Sequence, residues 1–292
     1  MTSAIHSIDT VVNDLDMRLR SCGEGPLVLC LHGFPDSAHT WDDLLIRLAA
    51  AGYRAVAPFT RGYVPTGVPG NTRYDAPTLA RDALTLAATL SDEPFYLVGH
   101  DWGAITGYAA AGAAPERIRA MVTAAVPPTA CFLANMCFAQ LRRSWYMLFF
   151  QLPGIAERAL AANDMALVNR LWRDWSPGWD FTDADIAHVK QALGNPASRG
   201  AALGYYRALR PLLLKSQQRR AVMAWRSAVA TRVIRGREDG CIAPDVFQGS
   251  ERCFDGAFDM QTFDAGHFMH REQPDAFADS VIEWFGRSHP AC

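Results

Sequence analysis

Residues 95–104 read Phe-Tyr-Leu-Val-Gly-His-Asp-Trp-Gly-Ala, and they constrain the chain more than any other stretch. Four apolar residues in a row have the look of a strand buried on both faces. Trp102 to Ala114 is a run of small residues closed by Pro115, which reads as a helix. Between them Gly99-His100-Asp101-Trp102-Gly103 must turn a strand into a helix almost at once. Glycines at both ends of that turn are what such a turn needs, because side chains there would strike the helix packed behind it. The turn lifts residue 101 to the top of a sheet, beside the positive N-terminal end of the helix. Gly-x-Ser-x-Gly in this setting presents a nucleophilic serine; here the position is Asp101. A carboxylate is already an anion at pH 7 and displaces a leaving group from a saturated carbon, forming an alkyl ester. A plain N-cap is the alternative, but capping requires neither the two glycines nor the strand.

The flanking pattern extends the elbow into a sheet. Residues 8–21 read as two short strands around a turn at Asn13-Asp14. Pro26 to Leu31, Tyr53 to Ala57 and Ile118 to Ala125 read as further strands, with helices at Thr40 to Ala51 and Thr78 to Leu90. Alternating strands and helices predict an α/β domain with a mostly parallel sheet and helices on both faces. From about 129 to 225 only helical patterns occur, and strands return at Val229 to Ile234 and Phe258 to Phe263 before a closing helix from Pro274. Insertions at the carboxyl ends of sheet strands lie over the ligand crevice. The expectation is therefore one core domain, 1–127 with 226–292, and a helical lid, 128–225.

Composition narrows the partners. The formal net charge of the 292 residues is -2, with no basic run or acidic tail, which argues against nucleic acid and anionic membrane. Seven cysteines at scattered positions, without a Cys-x-x-Cys pair, suit a reducing cytoplasm better than a disulfide framework or a zinc site. The N-terminus lacks the basic start and apolar core of a signal peptide. The longest apolar stretch, Trp145 to Ile155, falls short of the ~20 residues a membrane span takes. Nothing in the sequence sets the oligomeric state, and a homodimer is left open.

Three further segments complete a reactive site. Leu31-His-Gly-Phe-Pro35 follows a buried strand, and the loop there supplies one backbone N–H of an oxyanion hole, with the second coming from the residue after the nucleophile. These are assigned to Phe34 and Trp102. Val233 to Asp239 is a strand running into a turn that ends in an acid, and Gly266-His267 follows another strand. The order nucleophile, acid, histidine is that of α/β-hydrolases. His267 would activate water while Asp239 holds its tautomer; Glu238 is the rival acid. His32 and His100 read as packing groups, and His270 as a surface residue.

Taken together, His32-Gly-Phe-Pro35, Arg61-Gly-Tyr63, Gly99-His-Asp-Trp-Gly103, Ser144 to Gly154, Gly204-Tyr-Tyr-Arg207 and Gly266-His267 resemble the epoxide hydrolase branch of the α/β-hydrolase family over nearly the whole chain. That resemblance implies that two lid tyrosines, Tyr146 and Tyr206, donate hydrogen bonds to an epoxide oxygen, with Tyr205 the neighbour that competes with Tyr206 for the role. It implies a small apolar epoxide and water as substrates, a vicinal diol as product, and no metal or organic cofactor. Lid aromatic residues (Trp145, Phe149, Phe150, Trp172, Trp175, Trp179, Phe181) either line an apolar cavity or pack the lid, and packing is expected for most. One departure is Phe59, where the family commonly has an acid two places before the arginine. Haloalkane and haloacid dehalogenases share the aspartate nucleophile and remain alternatives, as does a non-catalytic binding protein on the same scaffold.

Overall fold

The computed structural model describes residues 4–13, 15–70, 73–211 and 216–288. Asp14 of the expected first turn, residues 212–215 of the expected lid and the last four residues of the expected core lie outside them, as do Met1 to Ser3. Strands β1 (His6–Val12), β2 (Leu15–Cys22), β3 (Leu27–Leu31), β4 (Arg54–Pro58), β5 (Phe95–His100), β6 (Ile118–Ala124), β7 (Ala230–Gly236) and β8 (Phe258–Phe263) form one sheet in the order β1-β2-β4-β3-β5-β6-β7-β8. β1 pairs antiparallel with β2, and β2 with β4; every later pairing is parallel. β3 and β5 sit in the middle and are buried along their full length, as their unbroken apolar runs require.

Helices α1 (Asp42–Ala50), α2 (Ala76–Leu90) and α3 (Trp102–Ala113) connect the strands. Asp75 caps α2 by accepting the Thr78 N–H, and a proline follows in the first turn, where its missing N–H costs nothing. Two apolar layers result, one on each face of the sheet. One holds Leu45, Leu48, Phe277, Val281 and Phe285 from α1 and the closing helix Pro274–Ser288; the other holds residues of α2, α3 and the long helical segment.

That segment runs between β6 and β7. It contains α4 (Thr129–Ala134), α5 (Phe138–Arg143), α6 (Trp145–Phe149), α7 (Ile155–Ala161), α8 (Ala166–Trp175), α9 (Asp183–Gly194), α10 (Pro196–Arg207) and, beyond residues 212–215, Ser216–Met223. Its breaks follow the sequence: Thr182 and Asp185 form a capping box at the start of α9, and Asn195-Pro196 ends α9 and caps α10. Among the described residues, no helix is long and apolar enough to cross a membrane.

Candidate active site

The turn between β5 and α3 holds Asp101 at φ 52°, ψ -115°, a conformation costly for a residue with a side chain. Three glycines make room for it. A Cβ on Gly99 would lie 2.4 Å from the Gly103 carbonyl oxygen, one on Gly103 would lie 1.9 Å from that of Leu31, and one on Gly33 would lie 2.4 Å from the Asp101 carboxylate. The Asp101 side chain makes no capping bond to α3. Its Oδ1 instead accepts the Phe34 backbone N–H at 2.8 Å, and the Trp102 N–H also favours the charged carboxylate. The two backbone donors expected from the sequence thus both act on the Asp101 carboxylate.

The other oxygen, Oδ2, lies 3.8 Å from His267 Nε2. His267 Nδ1 is 2.9 Å from Asp239 Oδ2. Asp239 Oδ1 accepts the N–H groups of Cys241 and Ile242 at 2.7 and 2.8 Å. The acid is therefore locked by its own turn at the end of β7, and it is buried, while Glu238 is exposed. Asp101, His267 and Asp239 come from the ends of β5, β8 and β7, brought together by the parallel order of the sheet.

Burial pushes the Asp101 carboxyl up to about 6, against the pull of His267 and of the Phe34 and Trp102 N–H groups. Burial also opposes protonation of His267, but Asp239 and then Asp101 outweigh it, and its pKa is raised above the ordinary value. Burial raises both Tyr146 and Tyr206 well above the usual phenol range, so both remain O–H donors at neutral pH.

The two tyrosines reach the same space from separate helices, α6 and α10. Their ring centroids are 5.6 Å apart, and the Tyr206 ring packs at 5.3 Å on both Phe34 and Trp102. The Asp101 charge acts on both phenols. Tyr206 Oη and His267 Nε2 are buried with no hydrogen-bond partner among the described residues, although the Trp102 indole lies close enough to favour ionisation of Tyr206. Tyr205 turns the other way and donates to the Arg61 carbonyl at 2.8 Å. Tyr146 Oη sits 3.2 Å from Cys241 Sγ.

His270 corrects the sequence reading. It is buried, not a surface residue: its Nε2 is 2.7 Å from Thr40 Oγ1 and 3.7 Å from Asp36 Oδ2. His100 packs between it and His267, tilted to one ring and edge-on to the other, with centroids 4.4 and 4.9 Å away, and its Nε2 donates to the His267 carbonyl at 2.9 Å. His32 Nε2 accepts the Thr60 N–H at 3.1 Å. Among the described residues, donor atoms of a metal-binding type cluster in Asp36–His100–His270 and in Asp239–Cys241–His267. Hydrogen bonds engage all of the second group but His267 Nε2, whereas Asp36 Oδ2, His100 Nδ1 and His270 Nδ1 of the first are buried without a hydrogen-bond partner among the described residues.

At the family's acidic position Phe59 is buried and packs edge-on to His39, and the buried Arg61 is met instead by Asp82 of α2 through two bonds of 2.5 and 2.8 Å. Of the aromatic residues in the helical segment, Trp172 packs on Trp179, Phe181 and Phe268. Phe150 and Trp175 stand in the site, against Tyr146 at 5.6 and 4.9 Å, and Trp175 also touches the His267 ring at 5.0 Å. The sequence reading missed Cys241. Its one signal was its place two residues after the acid.

Residues 26–274 match the alpha/beta hydrolase fold family. The AB hydrolase superfamily protein YfhM of Bacillus subtilis is 28% identical over 93% of this chain and 95% of its own. Epoxide hydrolase 3 of Siraitia grosvenorii is 38% identical over 56% of this chain and 53% of its own, so that match spans about half of the plant protein. Among solved structures, epoxide hydrolase VrEH1 from Vigna radiata superposes with a TM-score of 0.80 at 25% identity, covering 97% of this chain and 98% of that one.

Proposed function

The chain belongs to the α/β-hydrolase family, and from that premise we propose that it hydrolyses epoxides to vicinal diols through a covalent ester on Asp101. The observation that carries the reading is the pair of buried phenols, Tyr146 and Tyr206, beside the carboxylate of Asp101. Two relatives that bear the name epoxide hydrolase support it. The helical segment 128–225 serves as a lid that brings the phenols over the strand ends.

In the first step Oδ2 of Asp101 attacks one epoxide carbon. The C–O bond of the ring breaks, and the oxygen takes up negative charge. An alkoxide is a poor leaving group, so it needs donors opposite the nucleophile, and the two phenols supply them. One phenol gives up its proton as the alcohol forms. In the second step His267, oriented by Asp239, takes a proton from water. The hydroxide adds to Cγ of Asp101, and charge develops on Oδ1, which the Phe34 and Trp102 N–H groups hold. Collapse breaks the bond from Cγ to the ester oxygen, which leaves as the second hydroxyl of the diol with the proton of the added hydroxide. The carboxylate is restored, and the proton held by His267 is returned to the phenolate.

Attack by Asp101 needs no base, but hydrolysis of the ester does. His267→Gln mixed with styrene oxide is therefore expected to gain the mass of one epoxide and to release diol very slowly. Asp101→Ala should gain no mass and form no diol. Tyr146→Phe or Tyr206→Phe should each slow the reaction, by up to ~10²–10³ for one donor, and the double variant should be nearly inactive. Bromide release from a bromoalkane, with no diol from styrene oxide, would give the site to dehalogenation instead.

A further inference from the structure

We propose that Cys241 is a positioning residue for Tyr146, donating its S–H to the phenol oxygen so that the phenol's own proton is left to reach the epoxide oxygen. The inference rests on Tyr146 being one of the two donors of the proposed reaction.

The thiol and the phenol are 3.2 Å apart, and both side chains are buried. The backbone of Cys241 is fixed on both sides. Its N–H is bound to Asp239 Oδ1 at 2.7 Å, and its carbonyl accepts from Gln140 Nε2 at 3.0 Å. The sulfur is therefore placed by the same turn that places the triad acid. The other close neighbours of the Tyr146 ring are Phe150, Trp175 and Tyr206, which pack on its faces and edges.

Either atom can donate in this pair, and we take the thiol as the donor. Burial and the negative charges of Asp239 and Asp101 keep the Cys241 thiol protonated, so the sulfur has a proton to give. A thiol sulfur is a weak acceptor, and a phenol donating to it would turn its proton away from the reacting atoms. With the S–H donating instead, thiol, phenol and epoxide oxygen form a chain in which each bond strengthens the next as charge grows on the alkoxide. The arrangement also separates the two phenols. Tyr146 is held by Cys241, while the polar group beside the Tyr206 phenol is the Trp102 indole.

The test uses the His267→Gln protein, which stores the ester, and follows its formation from styrene oxide by intact mass at short mixing times. Adding Cys241→Ala or Cys241→Val should slow ester formation about 3- to 10-fold, the worth of one ordinary hydrogen bond; the valine fills the thiol's volume without a donor. Cys241→Ser keeps a donor and should restore the rate to within about two-fold of the parent. In a Tyr146→Phe background the same Cys241 changes should have no further effect, and that is the outcome a merely structural role does not give. An unchanged rate in both Cys241→Ala and Cys241→Val overturns the inference and leaves the epoxide reading standing, as does an equal loss with and without the Tyr146 hydroxyl. A parent that forms no ester at all ends both.

Discussion

In the proposed reaction Asp101 must be an anion to attack, and His267 must be neutral to activate water. Both requirements fail on the acid side, for different reasons. Asp101 is held at about 6 chiefly by burial, so ester formation loses its nucleophile as pH falls through that value. His267 is raised by Asp239 and Asp101, so ester hydrolysis loses its base as pH falls through a value above the ordinary imidazole range. Ester formation removes the Asp101 charge and with it one of the influences that keep His267 protonated. The first step therefore readies the base for the second. On the alkaline side the buried phenols keep their protons. Single-turnover ester formation should rise with pH and level off above an apparent pKa of about 6, while ester decay should follow a second, separate value. Ester formation that stays flat between about pH 5 and about pH 8 would contradict the assignment of Asp101 as the nucleophile.

The strand–turn–helix around Asp101 carries a conflict between stability and chemistry. Its φ of 52° costs a residue with a Cβ about 1–3 kcal/mol, and a carboxyl raised to about 6 costs the fold stability progressively as pH climbs from the ordinary carboxylate value to about 6, and in full above it. Asp101→Gly should remove both penalties. Against the cost of leaving the Phe34 N–H without its acceptor, it should be inactive yet more stable by about 1 kcal/mol, raising Tm by about 2–4 °C, and the gain should grow as pH rises to about 6 and level off above it. Gly103→Ala should do the opposite, because its Cβ would meet the Leu31 carbonyl at 1.9 Å; a loss of about 3 kcal/mol or more is expected. Equal melting temperatures for Asp101→Gly and the parent would show that the strain is relieved elsewhere. This element was legible in the sequence because local sterics dictate it: two glycines, one strand and one helix leave few solutions. Asp239 was legible over Glu238 from its place relative to Gly236, and Tyr206 over Tyr205 only from the resemblance, since two neighbours on a helix both lie near the same face. His270 was not, because Thr40, far away in the chain, is what meets it. Nor was the partner of Arg61, whose counter-charge comes from Asp82 of α2, a helix nothing in the Arg-Gly-Tyr motif points to.

At the scale of the molecule, the site is shared between the sheet and the helical segment, and the two are joined by hydrogen bonds from the segment to backbone groups around the site. Trp172 Nε1 donates to the Pro35 carbonyl at 2.9 Å, beside Phe34. The Trp175 carbonyl accepts the N–H groups of Gly240 and His267, each at 3.0 Å, and Arg143 donates to the Asp239 carbonyl. Gln140, fully buried, takes the Ala243 N–H at 2.8 Å and gives its amide to the Cys241 carbonyl at 3.0 Å. The helices of this segment could be read from apolar spacing, but these bonds could not, because each depends on which turn faces which once both parts are folded. They imply that the segment and the sheet unfold together. Gln140→Ala would leave two buried backbone groups of the Asp239 turn without partners, at about 1–3 kcal/mol each. The variant should therefore melt at a lower temperature and lose activity, since the turn it loosens carries both Asp239 and Cys241. Its unfolding should remain a single transition, with tryptophan fluorescence, which reports Trp172 and Trp175, coinciding with far-UV circular dichroism. A fluorescence change that runs ahead of the loss of sheet would show that the helical segment opens by itself, and the close coupling of the two parts would have to be given up.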